Sequence, residues 1–528
     1  MSLINSTSKK TAAIFSYVFL ALNSISAIFL TPFLLKYLGV DEYGLYQMVY
    51  SIGQYILILD LGISTVMVRY IAEYIAREDY EGMKKFSGMI AILTLLICIV
   101  VICIGFVIDY NLENIFTTLS TEDYSKSHWM FNLMIFQFVV TIIEHYIQGA
   151  INAYERFVFS KILGIVKICT VFGLTVLFTY LGFGAVGIVM ANTIVILIIT
   201  LIEIVYTFRI LKFKIKITYW NKAVMMPAFS LMMAMLLQSV VGNVNSSVDK
   251  TILGIMCTPA DVTVYSIAAT IITLFNTLPT VMSSLFQPHV MRMVVKGTNG
   301  SQLTDLVIRV GRWQFIICGA FLAGLALFGL DFLNLWVGSR LSDGGVKFAL
   351  LIMLMILPFN MVPLIQNVCI SILNAYDKRM YRSVILAFMC VLHIIFTIIT
   401  IKLWGPIGSP LGTALSFFIG YAIILNIYYS RSLHLEICRM FKAIVNRLWI
   451  CILSCTVLCV PLYYWSINTW FELVVKGLIF ITLLFFSLYL MGFNKEEKQI
   501  VNAYLRQVPI IRKITKNRFC NIVRRSNK

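Results

Sequence analysis

Long uncharged apolar runs, separated by short polar phrases, fill most of this chain of 528 residues. Residues 87–108, 223–244, 384–401 and 477–491 are examples. A helix needs about 20 apolar residues to cross about 30 Å of hydrocarbon. The runs lack the period-two alternation of membrane strands, which excludes an outer-membrane barrel. The pattern therefore predicts an all-α polytopic membrane protein. Fourteen spans are expected, near 11–31, 45–67, 87–108, 128–150, 158–180, 184–207, 223–246, 262–285, 312–336, 347–372, 383–403, 407–429, 447–466 and 471–492. The first is read as a retained span, because no small-residue cleavage site follows it.

The polar phrases repeat. INAYERF at 151–157 returns as LNAYDKR at 373–379, an offset of 222 residues. Downstream, GFGAVGIVMANT at 182–193 is echoed by WGPIGSPLGTAL at 404–415, with Gly184 and Gly187 opposite Gly405 and Gly408. An offset spanning six helices keeps both copies in one orientation, so the repeat is parallel. The expected organisation is an N-terminal lobe at 1–215, a C-terminal lobe at 216–435, two extra helices at 436–493 and a basic tail at 494–528. Two parallel six-helix lobes suit alternating access about a shared cavity.

Composition agrees: 60% of residues are hydrophobic and 12% charged, with mean hydropathy +0.89. The net charge of +18 is mostly topology. With the N-terminus in the cytoplasm, 34 Lys and Arg fall in inner segments and 7 in outer ones. That asymmetry places both termini in the cytoplasm. A nucleic-acid partner is not expected, and the basic tail is expected to lie on anionic lipid headgroups. Cys451, Cys455 and Cys459 stack at helical spacing and read as a packing face, not as metal ligands. No P-loop, HExxH or GxSxG motif occurs and the histidines show no ligand spacing, so no enzyme, metal or cofactor is expected.

The segment 31–74, TPFLLKYLGVDEYGLYQMVYSIGQYILILDLGISTVMVRYIAEY, resembles the first helix pair of the oligosaccharide (Wzx-type) flippases of the MOP superfamily. AYER with its downstream glycines, and NSSVDKTILG at 245–254, resemble that family too. The resemblance implies a MATE-like, MOP fold that moves undecaprenyl-pyrophosphate-linked sugar units across the bacterial inner membrane. The surface polysaccharide would be an O-antigen, capsule or exopolysaccharide. A polysaccharide polymerase and a chain-length regulator are the implied partners, and the transporting unit is read as monomeric. The alternative is a cation-coupled multidrug exporter of the same fold. That branch uses an acidic residue in span one, where only Ser16, Asn23, Ser24 and Ser26 stand here.

A pyrophosphate cannot cross hydrocarbon without cations and water around it. Charges within spans are therefore the functional candidates. Lys167 lies mid-span in ILGIVKICTVFG, and His393 lies one helical turn from its repeat-equivalent position. Together they could clamp a pyrophosphate; Lys167 could equally pair with Glu144 or snorkel to the inner face. Arg69, Arg292, Arg309 and Arg312 stand where spans two, eight and nine meet the inner face, as candidate phosphate forks. Asp60, Glu144, Asp249 and Lys250 are the candidates for gating or for coupling to an H⁺ or Na⁺ gradient, with His145 beside Glu144. Asp249 and Lys250 are expected at the outer end of span seven, paired with each other or forming a gate.

Overall fold

The computed structural model describes residues 2–507 except 118, 218, 219 and 377; the side chains of 2–14, 278, 281, 284, 285, 379 and 504–507 lie outside the description. The part of the expected basic tail beyond Gln507 is likewise outside the described residues. Every regular element among the described residues is helical. Twelve segments are long and apolar enough to cross a membrane. Two of them, Phe15–Ala76 and Met380–Leu433, hold 62 and 54 residues, more than twice what a crossing needs. The first is broken at Gly39, with φ 82° and ψ 179°. The second is broken at Gly405, with φ 66° and ψ −148°. Taken as two passes each, they bring the total to about fourteen.

The spans are numbered here in chain order. Spans one and two lie either side of Gly39, span two bending again through the short Leu57–Asp60 turn and ending at Ala76. Span three is Tyr80–Tyr110, four Thr121–Ala153, five Phe157–Tyr180, six Gly184–Ile210 and seven Lys222–Met256. Span eight is Pro259–Val295, nine Gly300–Gly338 and ten Asp343–Ala375. Spans eleven and twelve lie either side of Gly405; Ile437–Leu458 and Trp470–Gly492 are thirteen and fourteen. The amphipathic helix Lys495–Gln507 follows. Span three shows why the runs are this long. Leu95, Leu96, Ile99 and Val100 stay exposed on the isolated chain, whereas Ile97, Cys98 and Val101 are buried between helices. In a bilayer the exposed set meets lipid, so both faces must be apolar.

The chain divides into two compact units. The first comprises Met1–Thr277, Trp336–Pro363 and Ile372–Tyr428. Within it span four packs on spans two, three and six, span one on span five, and span eleven on spans seven and twelve. The second comprises Leu278–Leu335, Leu364–Ser371 and Tyr429–Lys528. Within it span nine packs on spans thirteen and fourteen. Cys451, Cys455 and Cys459 lie inside this contact, with Phe480, Leu484, Leu488 and Phe328 around them.

The repeated polar phrase folds the same way twice. In the first copy Tyr154 N–H donates to Ala150 O and Arg156 N–H to Ile151 O, at 3.2 and 3.3 Å. In the second, Tyr376 N–H donates to Ile372 O and Lys378 N–H to Leu373 O, at 3.1 and 3.0 Å. Donors and acceptors are each 222 residues apart. The first copy is a Schellman end, with Glu155 left-handed at φ 57° and its N–H on Asn152 O. The next turn repeats as well, since Gly184 and Gly405 hold φ of 58° and 66°.

Candidate functional site

Three buried polar clusters and one aromatic stripe gather most of the chemistry of the membrane region. The first cluster joins spans four, five and six. Lys167 Nζ lies 2.8 and 3.0 Å from the two carboxylate oxygens of Glu144. Gln148, one turn below Glu144, donates from Nε2 to Glu144 Oε1 at 3.3 Å and to Glu203 Oε1 at 3.2 Å. The Glu203 side chain is wholly buried, and its Oε2 has no hydrogen-bond partner among the described residues. Lys167 keeps 32% of its side chain exposed. Beside this group His145 Nδ1 approaches Asp60 Oδ1 to 3.0 Å. The contact is close enough for an ion pair but not aligned as a hydrogen bond.

The second cluster joins spans seven, eight, eleven and twelve. Asp249 Oδ2 accepts from Tyr265 at 2.7 Å, and Oδ1 from Ser409 at 2.8 Å. Thr413 Oγ1 lies 3.0 Å from both carboxylate oxygens. His393 Nε2 is 3.2 Å from Oδ2, and its Nδ1 is 3.4 Å from Asn245 Oδ1. Asp249 and His393 are 2% and 0% exposed, so the cluster is sealed. Span seven does not end near 246, as its polar run NVNSSVDK suggests, but continues to Met256. Asn245, Asp249 and Lys250 of that run find partners on neighbouring spans, which lets the helix run on. Asp249 and Lys250 accordingly lie within the span, and they diverge, since adjacent helical residues do not face each other.

Lys250 points to span two. Its Nζ donates to Gln47 Oε1 at 3.0 Å, and no carboxylate lies in ion-pair range among the described residues. Gln47 belongs to a stripe at helical spacing: Tyr43, Tyr46, Gln47, Tyr50, Ser51 and Tyr55. Gln47 Nε2 donates to Tyr43 Oη at 2.9 Å, and Tyr46 stacks on Tyr50 with ring centroids 5.8 Å apart. Ser51 and Tyr55 both reach Thr251, at 2.9 and 3.2 Å. The stripe is polar and aromatic, with no acid in it.

The third cluster lies in the second unit. Arg312 is 3% exposed. Its Nε donates to Glu497 Oε1 at 2.6 Å, one terminal nitrogen to Ala443 O and Asn446 O at 2.9 and 3.5 Å, and the other to Gly492 O and Glu497 Oε2 at 2.9 and 3.0 Å. An arginine has five N–H donors, and all five are engaged. Arg309 meets Glu496 at 2.5 Å. Both arginines edge a pocket of about 630 Å³ in which Asp305, Glu496 and Glu497 balance Arg309, Arg312 and Lys495. Lys476, buried in span fourteen, rests on Asp331 at 2.9 Å and on Trp465 O. Arg69 and Arg292 are exposed. Arg69 lies against the Tyr70 ring, and Arg292 Nε donates to Pro288 O at 3.4 Å.

The structure thus joins Lys167 to Glu144 and His393 to Asp249, in separate clusters. Arg69, Arg292, Arg309 and Arg312 join neither. The sequence reading passes over Glu203, Gln148, Tyr265, Ser409 and Thr413. Glu203 had a signal: it is the lone carboxylate of an otherwise uncharged helix, Gly184–Val205.

The model of the family described as polysaccharide biosynthesis protein matches residues 8–290. A search of curated proteins finds no match. Among solved structures, the lipid II flippase MurJ in an inward closed conformation aligns with TM-score 0.72 at 15% identity, over 90% of this chain and 98% of that one. An inward-facing multidrug resistance MATE transporter of the MOP superfamily aligns with TM-score 0.62 at 15% identity, over 80% and 95%. The Vibrio cholerae MATE transporter VcmN in its bent form aligns with TM-score 0.53 at 15% identity, over 81% and 98%. The fold is therefore that of the MOP transporters.

Proposed function

The chain belongs to the polysaccharide biosynthesis protein family, and from that premise we propose that it flips undecaprenyl-pyrophosphate-linked oligosaccharide units across the bacterial inner membrane by alternating access. One observation supports the anionic glycolipid above other cargoes. Lys167, His393, Arg312 and Lys476 each rest on a carboxylate, whereas among the described residues Lys250 has only the neutral amide of Gln47. An ammonium inside a span is costly unless water or an anion meets it. A phosphate of the passing headgroup supplies that anion. The Tyr and Gln side chains of the stripe offer ring faces and amides, the groups with which sugars pair.

In this reading Lys250 anchors the pyrophosphate, and Lys167 and His393 hold the spans through their carboxylate partners. Arg69 and Arg292, exposed and without ion pairs among the described residues, receive the headgroup at the inner face. Asp60, Glu144 and Asp249 remain the coupling candidates, and both termini are cytoplasmic. A polymerase and a chain-length regulator take over the flipped unit from a monomeric transporter. No covalent step and no cofactor enters, because moving a headgroup between leaflets makes and breaks no bond.

The test uses purified protein in liposomes that hold a fluorescent undecaprenyl-pyrophosphate oligosaccharide. Protein-dependent exposure of the label to an impermeant quencher supports the proposal. Failure with every lipid-linked glycan, together with uptake of small organic cations, moves the chain to the multidrug-exporter reading.

A further inference from the structure

Where span three ends and span four begins, the chain builds a pocket of about 610 Å³ that shares no residue with the three clusters or the tyrosine stripe. Small-molecule sites run from about 300 to 1,000 Å³. Thr121, Tyr124, Ser125, His128 and Asn132 recur at helical spacing and line it from one face of span four. Trp129 and Glu113 complete the lining. The connecting loop is held in place: Leu112 and Phe116 are buried either side of Glu113, and Tyr124 Oη donates to Phe116 O at 2.7 Å. Asp109 orients the polar groups. Its Oδ1 lies 2.9 Å from His128 Nδ1, and its Oδ2 accepts from Asn132 Nδ2 at 3.1 Å. A carboxylate only accepts, so Nδ1 carries the proton and Nε2 of the neutral ring is an acceptor. Nε2 stands 3.9 Å from Glu113 Oε1, beyond hydrogen-bond range. Asn132 also donates to His128 O at 2.9 Å, so both its amide hydrogens are engaged and it meets a ligand through Oδ1. Three acceptors thus converge, and what joins them must bring hydrogen-bond donors. Trp129 is 67% exposed. A tryptophan at a membrane interface needs no ligand, but this one sets an indole beside an imidazole, a carboxylate and an amide. Among the described lining residues there is no Lys or Arg, and the neighbouring Lys126 is paired with Glu122 at 3.1 Å. A phosphate finds no cation here.

We propose that this pocket is a carbohydrate subsite. It seats one uncharged or amino-substituted sugar ring against Trp129, with hydroxyls donating to His128 Nε2, Glu113 and Asn132 Oδ1. The subsite is separate from the Lys250 anchor and has the opposite preference, since it takes sugar without phosphate. With a cytoplasmic N-terminus, the end of span three lies on the outer side of the membrane. There the pocket holds the sugar portion of the delivered unit. That use rests on the flippase reading; the sugar binding does not.

Binding is measured by saturation-transfer NMR on the purified full chain in lipid nanodiscs. The probes are lipid-free methyl glycosides of neutral hexoses, N-acetylhexosamines and hexosamines, with a sugar phosphate and ethanolamine for comparison. No lipid-linked glycan is present, so failure here is separate from failure of the flipping assay. At least one neutral or amino glycoside is expected to bind wild type. Trp129→Ala should weaken it about tenfold, and Glu113→Gln should weaken it as well. Both side chains are largely exposed, so the melting temperature should not change. Lys250→Met should leave the glycoside affinity as it is. Affinity unchanged in Trp129→Ala and Glu113→Gln, or lost in Lys250→Met, would place the sugar elsewhere and overturn the proposal. Tighter binding of the sugar phosphate, or binding of ethanolamine with no glycoside bound, would make this an anion or a bare cation pocket and overturn it too. Absence of any glycoside signal in wild type would overturn it equally.

Discussion

The Glu144 and Asp249 clusters are built from the same materials and end in opposite conditions. Each sets a basic residue of a repeat-related span, Lys167 on span five or His393 on span eleven, against a carboxylate. Around Asp249 the His393 imidazole and the hydroxyls of Tyr265, Ser409 and Thr413 all meet the acid, and each of these side chains is buried. Around Glu144 a second acid, Glu203, is added without a second base, and its Oε2 has no partner among the described residues. A balanced, sealed group holds helices together. An unbalanced group is one that a ligand can complete. The lesson is that a charge inside a span is diagnostic of function only after its partners are counted.

The sharpest way to break this comparison is to open the sealed cluster. His393→Ala leaves Asp249 buried without its base and is expected to cost about 3–5 kcal/mol of stability. Thermal or denaturant unfolding in detergent checks it; a loss below 1 kcal/mol would show that the hydroxyls alone suffice. Next comes Lys167→Met, which strands Glu144 in the same way and is expected to cost about as much as breaking any buried pair. Adding Glu144→Gln to Lys167→Met should recover most of that loss, and a double-mutant cycle measures the coupling. Without recovery, the two residues do not act as a pair. The smallest effect is expected for Glu203→Gln, which removes a buried carboxyl whose Oε2 has no partner among the described residues and should leave stability unchanged or raise it by about 1 kcal/mol. A clear destabilisation there would mean that Glu203 has a partner beyond Gln148.

Much of this fold was legible in the sequence, because hydropathy and loop charge are local properties. The spans and the breaks at Gly39 and Gly405 follow from apolar runs and the residues between them. The repeated elbow was legible too, and its backbone hydrogen bonds fall at the offset the letters give. The end of span seven was misread, since NVNSSVDK looks like a loop until Asn245 and Asp249 are seen to meet His393 from span eleven. Such partners lie about 150 residues away, and no local pattern names them. Arg312 shows the same limit: its exposure and its five bonds depend on helices far along the chain. The tyrosine stripe was hidden for another reason. Interfacial aromatics are common in membrane proteins, and only the approach of Lys250 to Gln47 singles out these.

The measurement that bears most directly on the central claim is the affinity of the purified protein for an undecaprenyl-pyrophosphate oligosaccharide, wild type against Lys250→Met. A charge-assisted contact to a phosphate contributes about 1.5–3 kcal/mol, so binding should weaken by roughly 10- to 100-fold while unfolding is unchanged. Equal affinity in the two proteins would contradict the account, placing the pyrophosphate elsewhere and leaving Lys250 without the role given to it.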